Sequence, residues 1–461
     1  MNSARKAAMT CALGTLTINL NITALSLAVP SIRQDLGLST TAMAWVASSY
    51  ALILAALVML GGSLGDRFNK KTVLTAGLII YTLGSAWGAV SPNGVVLTLS
   101  RIAAAVGAAV LVPVGLAAMR QIAKSPAELA TYMATWAVAV GAGQALGPAL
   151  GGILTALAGW RALFWAMTGL GLVFLVLLTR YLPQLPTTQS RPIGLGSQAL
   201  VALWMITLTG FLIEVNSGAS VWLKLALLVS FVGGLALWLW WDRRTAKPVI
   251  PAQVRRSAAF WLPLAVSVPN MAALGMSLFV GSLYLQDHLA VSPALTGLLF
   301  VPMALTTGLA GSWSGRSLLH WGPRRVTLAA AGATVLGVIL AGAAGGQPRL
   351  AALIGITVGA AVIGLGFGSA NTPINYLVVS AVPPAAAGVG GSAASASRQL
   401  GQAIGISLGA LLISLGQASH HSNLAYLWPV AAVIACGGLM AALASTYPGQ
   451  PTLPEVATSD E

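Results

Sequence analysis

Fourteen apolar runs, each close to the length that crosses a bilayer, fill this chain and leave little else. They lie at about 8–30, 41–63, 73–91, 95–119, 130–157, 161–180, 195–214, 220–241, 259–285, 293–313, 326–345, 350–372, 391–415 and 424–446. A spanning helix takes ~20 apolar residues. In lipid the backbone can bond only to protein, so each run is predicted to be a helix. The runs are too long and too continuously apolar for barrel strands, which alternate. Only 7% of the 461 residues are charged, against roughly 25% in soluble domains. Such a chain cannot cover itself with a charged surface, which excludes a soluble globular protein. Cys11 and Cys436 are the only cysteines, which excludes a disulfide framework. The basic start (Arg5, Lys6) leads into a run containing Asn19, Asn21 and Thr23. It is read as a retained first span, not a cleaved signal peptide.

The cations orient these spans. With the N-terminus inside, Arg33, Arg161, Lys224 and Arg349 fall outside, Arg101 and Arg398 fall within spans, and the other 17 of 23 lie in inner segments. Positive residues collect on the cytoplasmic side, so both termini are expected there. The net charge of +14 is thereby assigned to the bilayer surface, and no nucleic-acid partner is expected.

An internal repeat divides the chain. Gly62-Ser-Leu-Gly-Asp66-Arg67, followed by Lys70-Lys71, returns as Gly311-Ser-Trp-Ser-Gly315-Arg316, followed by Arg324-Arg325, after 249 residues. Gly147-Pro-Ala-Leu-Gly151 returns as Gly401-Gln-Ala-Ile-Gly405 after 254. The expected organisation is a six-helix bundle over 1–180, two additional spans and a basic inner loop over 181–258, a second six-helix bundle over 259–446, and a short cytoplasmic tail over 447–461. Repeats of this kind mark transporters, with the substrate site between the halves near mid-membrane.

Three motifs carry specific chemistry. The loop after the second span offers Gly62, Gly65, Asp66 and Arg67 as a conformational latch: the glycines permit close crossing, and Asp66 can pair with Arg or bond a helix N-terminus. Asn69 stands at a turn, and Asn tolerates the positive φ a turn can require. In the fifth span, Gly143, Gly147, Pro148, Gly151 and Gly152 allow helix backbones to touch. The contact expected is between span 5 and the C-terminal half. Arg101 either snorkels to the outer interface or faces a polar cavity.

These motifs resemble the major facilitator superfamily, and specifically its fourteen-span drug:proton antiporter branch. Further stretches resemble the same branch: Leu20-Asn21-Ile22-Thr23 in span 1, Tyr284-Leu285-Gln286 with Ser292-Pro293 and Gly297 in spans 9–10, and Arg398-Gln399-Leu400-Gly401-Gln402 in span 13. The resemblance implies an all-α integral membrane protein with the major facilitator fold. It implies a secondary active transporter that exports drugs or metabolites by alternating access, linked to protons. It is not expected to be an enzyme. No cofactor and no metal are expected, and a monomer in a bacterial inner-type cell membrane is. The alternatives are a uniporter or dedicated metabolite or anion exporter with altered coupling and, more remotely, an integral-membrane enzyme. The last lacks any cluster of nucleophile, base or metal ligands, and no Walker-type loop supports ATP-driven pumping.

The departures from the family pattern are informative. Asn21 stands where the branch usually has Asp. The nine acids are Asp35, Asp66, Glu128, Glu214, Asp242, Asp287, Glu455, Asp460 and Glu461, and none falls at mid-membrane. Glu214 and Asp66 are left as coupling candidates. Asn21, Thr23, Arg101, Gln144, Asn270, Asn371, Asn375 and Gln402 are the expected cavity residues, since a polar group facing lipid is costly. Trp45, Tyr50, Trp136, Trp165 and Met271 could add aromatic and soft surface. His288, His320, His420 and His421 are expected in loops. A cavity with Arg101 and no acid should favour neutral or anionic, moderately apolar substrates.

Overall fold

The computed structural model describes residues 3–185, 194–215, 217–245, 250, 252–382, 387–418 and 426–447. The tail 448–461, Arg191, Lys247, His420 and His421 lie outside the described residues. Fourteen described helices are long and apolar enough to cross a membrane. They are α1 (Ser3–Leu36), α2 (Thr40–Arg67), α3 (Lys70–Ala89), α4 (Gly94–Ile122), α5 (Pro126–Ala158), α6 (Trp160–Tyr181), α7 (Leu195–Glu214), α8 (Val221–Arg244), α9 (Ala258–Leu283), α10 (Pro293–Leu318), α11 (His320–Ala344), α12 (Arg349–Ser380), α13 (Ala387–Ala418) and α14 (Leu427–Ser445).

Side-chain oxygens open many of these helices, because the first amides of a helix have no partner within it. Ser39 accepts from Ala42 N at the start of α2, Asn93 from Val96 N at α4, and Ser292 from Leu295 N at α10. Asn69 does the same for α3, at a φ of −57°. Its value is therefore as a cap, and the expected positive φ is corrected. Positive φ falls instead on Gly37, Gly159, Ala290 and Gly322; Gly159 joins α5 to α6, and Gly322 with Pro323 kinks the chain in the first turn of α11. His320 is helical, and His288 closes a π-helical turn, Tyr284–His288, that extends α9. Both correct the expectation of loop positions.

The packing repeats as the sequence does. Gly151 of α5 lies on the backbone of Ala24 in α1, and Gly405 of α13 lies in the same way on Ala272 in α9. A β-carbon at either glycine would strike a carbonyl oxygen, which is why these helix pairs require glycine. The extra helices sit to one side, with α7 packed against α2 and α13. Large apolar side chains stay on the outside: Trp222 is 77% exposed and Leu309 70%. In water that rind would be untenable; in lipid it is the solvated surface.

Candidate functional site

Inside the first six helices, Asn21 (α1), Tyr50 (α2), Tyr81 (α3) and Arg101 (α4) meet. Arg101 is 2% exposed, which excludes the snorkelling alternative. Its Nη1 donates to Asn21 Oδ1 at 3.1 Å, and Asn21 Nδ2 donates to Tyr81 Oη at 3.3 Å. The guanidinium lies over the face of Tyr50, 5.1 Å from the ring centroid, where the ring quadrupole attracts it. Arg101 Nε and Tyr50 Oη have no hydrogen-bond partner. The ion pairs Arg33–Asp287, Arg161–Asp35 and Arg255–Asp242 all sit near helix ends. Among the described residues, then, no carboxylate compensates Arg101. A neutral amide and a ring face do so only in part, because burying a charge is expensive without a counter-charge.

A second cation is held in the same manner in the other half. Arg398 Nη1 of α13 donates to Asn375 Oδ1 of α12 at 2.8 Å. One turn further along α13, Gln402 is buried, its backbone carbonyl oxygen 2.7 Å from where a β-carbon on Gly275 of α9 would lie. Asn270 of α9 is buried with both Nδ2 and Oδ1 unpartnered, and Gln399 Oε1 is also unpartnered. Asn19 and Asn371 differ: each donates to a carbonyl four residues back on its own helix, at 2.8 and 3.5 Å. Their hydrogen-bonding capacity is partly spent locally. Trp165 is 53% exposed, so it belongs to the lipid-facing surface, which corrects its assignment to the cavity.

Between the two halves runs a seam. Thr23, Gln144 and Pro148 face Phe300, Met303 and Thr307 across a gap of about 20 Å³. That volume holds about one water and no organic molecule. Thr23 Oγ1 donates to Asn19 O at 2.8 Å and to Gly143 O at 3.3 Å, which ties α1 to α5. The five motif residues of α5 divide their work. Gly143, Gly147 and Gly151 face α1 within the same half, where a β-carbon would strike Leu16 O, Thr23 Oγ1 and Ala24 O respectively. Only Gly152 and Pro148 reach the other half: Gly152 abuts Pro293 O, and a β-carbon on Gly297 would lie 2.6 Å from Pro148 O. The expectation that the whole motif contacts the C-terminal half is corrected to these two positions.

Polar contacts reinforce this junction on the same face. Gln286 Nε2 donates to Leu27 O at 3.0 Å, and Arg33 pairs with Asp287 at 3.3 Å. On the opposite, basic face, α2 approaches α13 where a β-carbon on Gly62 would sit 3.3 Å from Ser392 Oγ. Gly65 packs on Val114 of α4. Arg67 is exposed, with its guanidinium 5.8 Å from the Phe68 ring centroid. The side chain of Asp66 lies outside the described residues.

Glu214 ends α7 and is half-buried. Its Oε1 accepts from Trp45 Nε1 at 2.8 Å and its Oε2 from Ser217 Oγ at 2.6 Å. It thus fastens the extra helix pair to α2. Sequence reasoning missed Phe300 and Met303, since nothing distinguishes them from other apolar residues of span 10. It also missed Tyr81, whose signal was a hydroxyl in an otherwise apolar run.

Comparison with known proteins bears on this arrangement. A model described as Major Facilitator Superfamily matches residues 11–406. The chain is 27% identical over 390 residues to the multidrug resistance protein Stp of Mycobacterium tuberculosis, covering 84% of this chain and 71% of that one. It is 29% identical over 379 residues to the puromycin resistance protein pur8 of Streptomyces alboniger, covering 81% and 74%. Among solved structures, the POT family transporter PepTSo aligns with a TM-score of 0.69 at 16% identity, covering 97% of this chain and 99% of that one.

Proposed function

The chain belongs to the Major Facilitator Superfamily and is a multi-span membrane transporter, and we propose that it exports small organic molecules by alternating access. The observation that carries this reading is the junction of α5 with α10. Two glycine crossings, one hydrogen bond and one exposed ion pair join the halves on one face. That set can separate without unpacking either bundle, because each half keeps its own glycine-packed pairs. Opening there would widen the seam and expose Thr23, Gln144 and Thr307. The resistance proteins to which the chain is similar support export as the direction. The basic face is assigned to the cytoplasm by the positive-inside bias, and the protein acts as a monomer organised as two six-helix halves and a peripheral pair.

The substrates are neutral or anionic and moderately apolar. Arg101 and Arg398 bring two cations into the interior, where the hydrogen-bond acceptors that meet them among the described residues are the neutral side-chain oxygens of Asn21 and Asn375. A permanent cation would meet uncompensated like charge. Proton coupling runs through Glu214 or Asp66. The test is uptake into proteoliposomes under an imposed pH gradient with matched cationic, neutral and anionic dyes. Gradient-driven uptake of the neutral and anionic dyes is expected. Efficient, gradient-driven transport of a quaternary ammonium dye would refute the charge assignment.

A further inference from the structure

A second cavity lies inside the second half, beside the seam. It has a volume of about 600 Å³, within the range of ~300–1,000 Å³ that holds drug-sized ligands. Aliphatic walls come from α9, α11, α12 and α14, including Met276, Val280, Val338, Ile356 and Val433. Polar groups gather at one end, where Tyr284, His288 and Tyr426 pack ring against ring at 4.9–5.9 Å. Tyr284 Oη is committed to Gly345 O at 2.5 Å. Tyr426 Oη and the His288 nitrogens bond to no other described residue. Phe300 and Met303 line both this cavity and the seam, so they form the partition between the two.

Helices α3 and α4 cross where Gly77 meets Gly107, and α11 and α12 cross where Gly337 meets Gly359. A β-carbon at Gly88 would lie 2.6 Å from the ring of Phe164, so phenyl bulk fills the first bundle there. In the second bundle a β-carbon at Gly342 would lie 3.1 Å from Val430, a smaller side chain that lines the cavity. Packed interiors rarely leave so much space unfilled.

We infer that this cavity is a second binding site, separate from the transport seam, for a single-chain neutral amphiphile: an apolar tail among Met276, Val338 and Val433, and a hydrogen-bonding head at Tyr426 and His288. A tail there would press on Phe300, whose ring would lie 3.0 Å from a β-carbon on Gly281 and which also lines the seam. Occupancy is thereby felt at the α5–α10 junction.

The experiment is photolabelling of the full chain in phosphatidylethanolamine–phosphatidylglycerol vesicles with a sixteen-carbon alcohol bearing a mid-chain diazirine. Adducts are mapped by mass spectrometry. A phospholipid carrying the same diazirine on one of its two chains forms the parallel arm. Adducts from the alcohol on Met276, Val338 or Val433 are expected, falling at least tenfold in each of the filling variants Val338→Phe and Ala360→Phe. Adducts on lipid-facing Leu309 should be unchanged, which reports that the variants remain folded. Adducts from the alcohol confined to lipid-facing positions would overturn the inference, as would lining adducts that persist in both variants. Lining adducts from the phospholipid equal to those from the alcohol would overturn the single-chain assignment.

Discussion

Replacing Asn21 by Asp would test the electrostatic reading of the interior most directly. Asn21 Oδ1 already accepts from Arg101 Nη1 at 3.1 Å, so the new carboxylate would form in contact with a guanidinium that has no other counter-charge among the described residues. The gross attraction at that distance is about 5 kcal/mol for an effective dielectric of 20. Desolvating the added charge removes several kcal/mol of this, leaving a net gain of roughly 1–3 kcal/mol for the charge-assisted bond. Tyr81 must also reverse its role. It accepts from Asn21 Nδ2 at 3.3 Å, and beside a carboxylate it would donate. Since its hydroxyl can do either, the change leaves no orphaned donor.

The functional consequence is larger than the structural one. An anion held ~6 Å from an uncompensated Arg101 gains about 3 kcal/mol at the same dielectric, a factor of roughly 100 in affinity. Asn21→Asp cancels that field. Transport of an anionic dye in proteoliposomes should fall at least tenfold. Transport of a cationic dye of the same skeleton should rise, and transport of the neutral one should change by less than threefold. The dependence on an imposed pH gradient should sharpen, because the interior acquires a titratable group. If the anion-to-cation preference of the variant equals that of the unmodified protein, Arg101 does not set selectivity.

Three further outcomes are expected. Gly152→Val would drive a branched side chain into Pro293 O, an overpacking cost of ~1–3 kcal/mol that separates α5 from α10; a cysteine placed at Phe300 should then react with a bulky maleimide at least tenfold faster, and an unchanged rate would show that the junction is not the gate. Glu214→Gln keeps an acceptor for Trp45 Nε1 but removes the protonation site, so the pH profile of transport should flatten while thermal stability shifts by ~1 kcal/mol or less; an intact profile eliminates Glu214 as the coupling group. Asp66→Asn should slow transport severalfold and leave equilibrium substrate binding nearly intact, measured by dye binding in detergent; lost binding with normal conformational exchange would contradict a latch.

What the chain shows in advance, and what it conceals, follows from where each feature is encoded. The spans are legible because hydrophobicity accumulates over some twenty residues, and no local exception can cancel it. The glycine crossings are legible as spacings, yet a spacing does not say which neighbour it meets. Gly147 and Gly152 belong to one motif, but a helix turns about 100° per residue. Five residues amount to roughly 140° around the axis, so one faces α1 and the other α10. Arg101 is legible as an anomaly, a cation in an apolar run, and its partner Asn21 as a second anomaly. That the two touch is a fact of packing between helices 80 residues apart. Tyr81 escapes notice because tyrosine is unremarkable near a membrane surface, and only depth gives it meaning. The cavity of the second half is the extreme case, because an empty volume is carried by no residue. Ile356 and Val430 look like ordinary lipid-compatible side chains. They become informative only when the helices around them are packed, and the space they leave unfilled can then be read as room for a ligand.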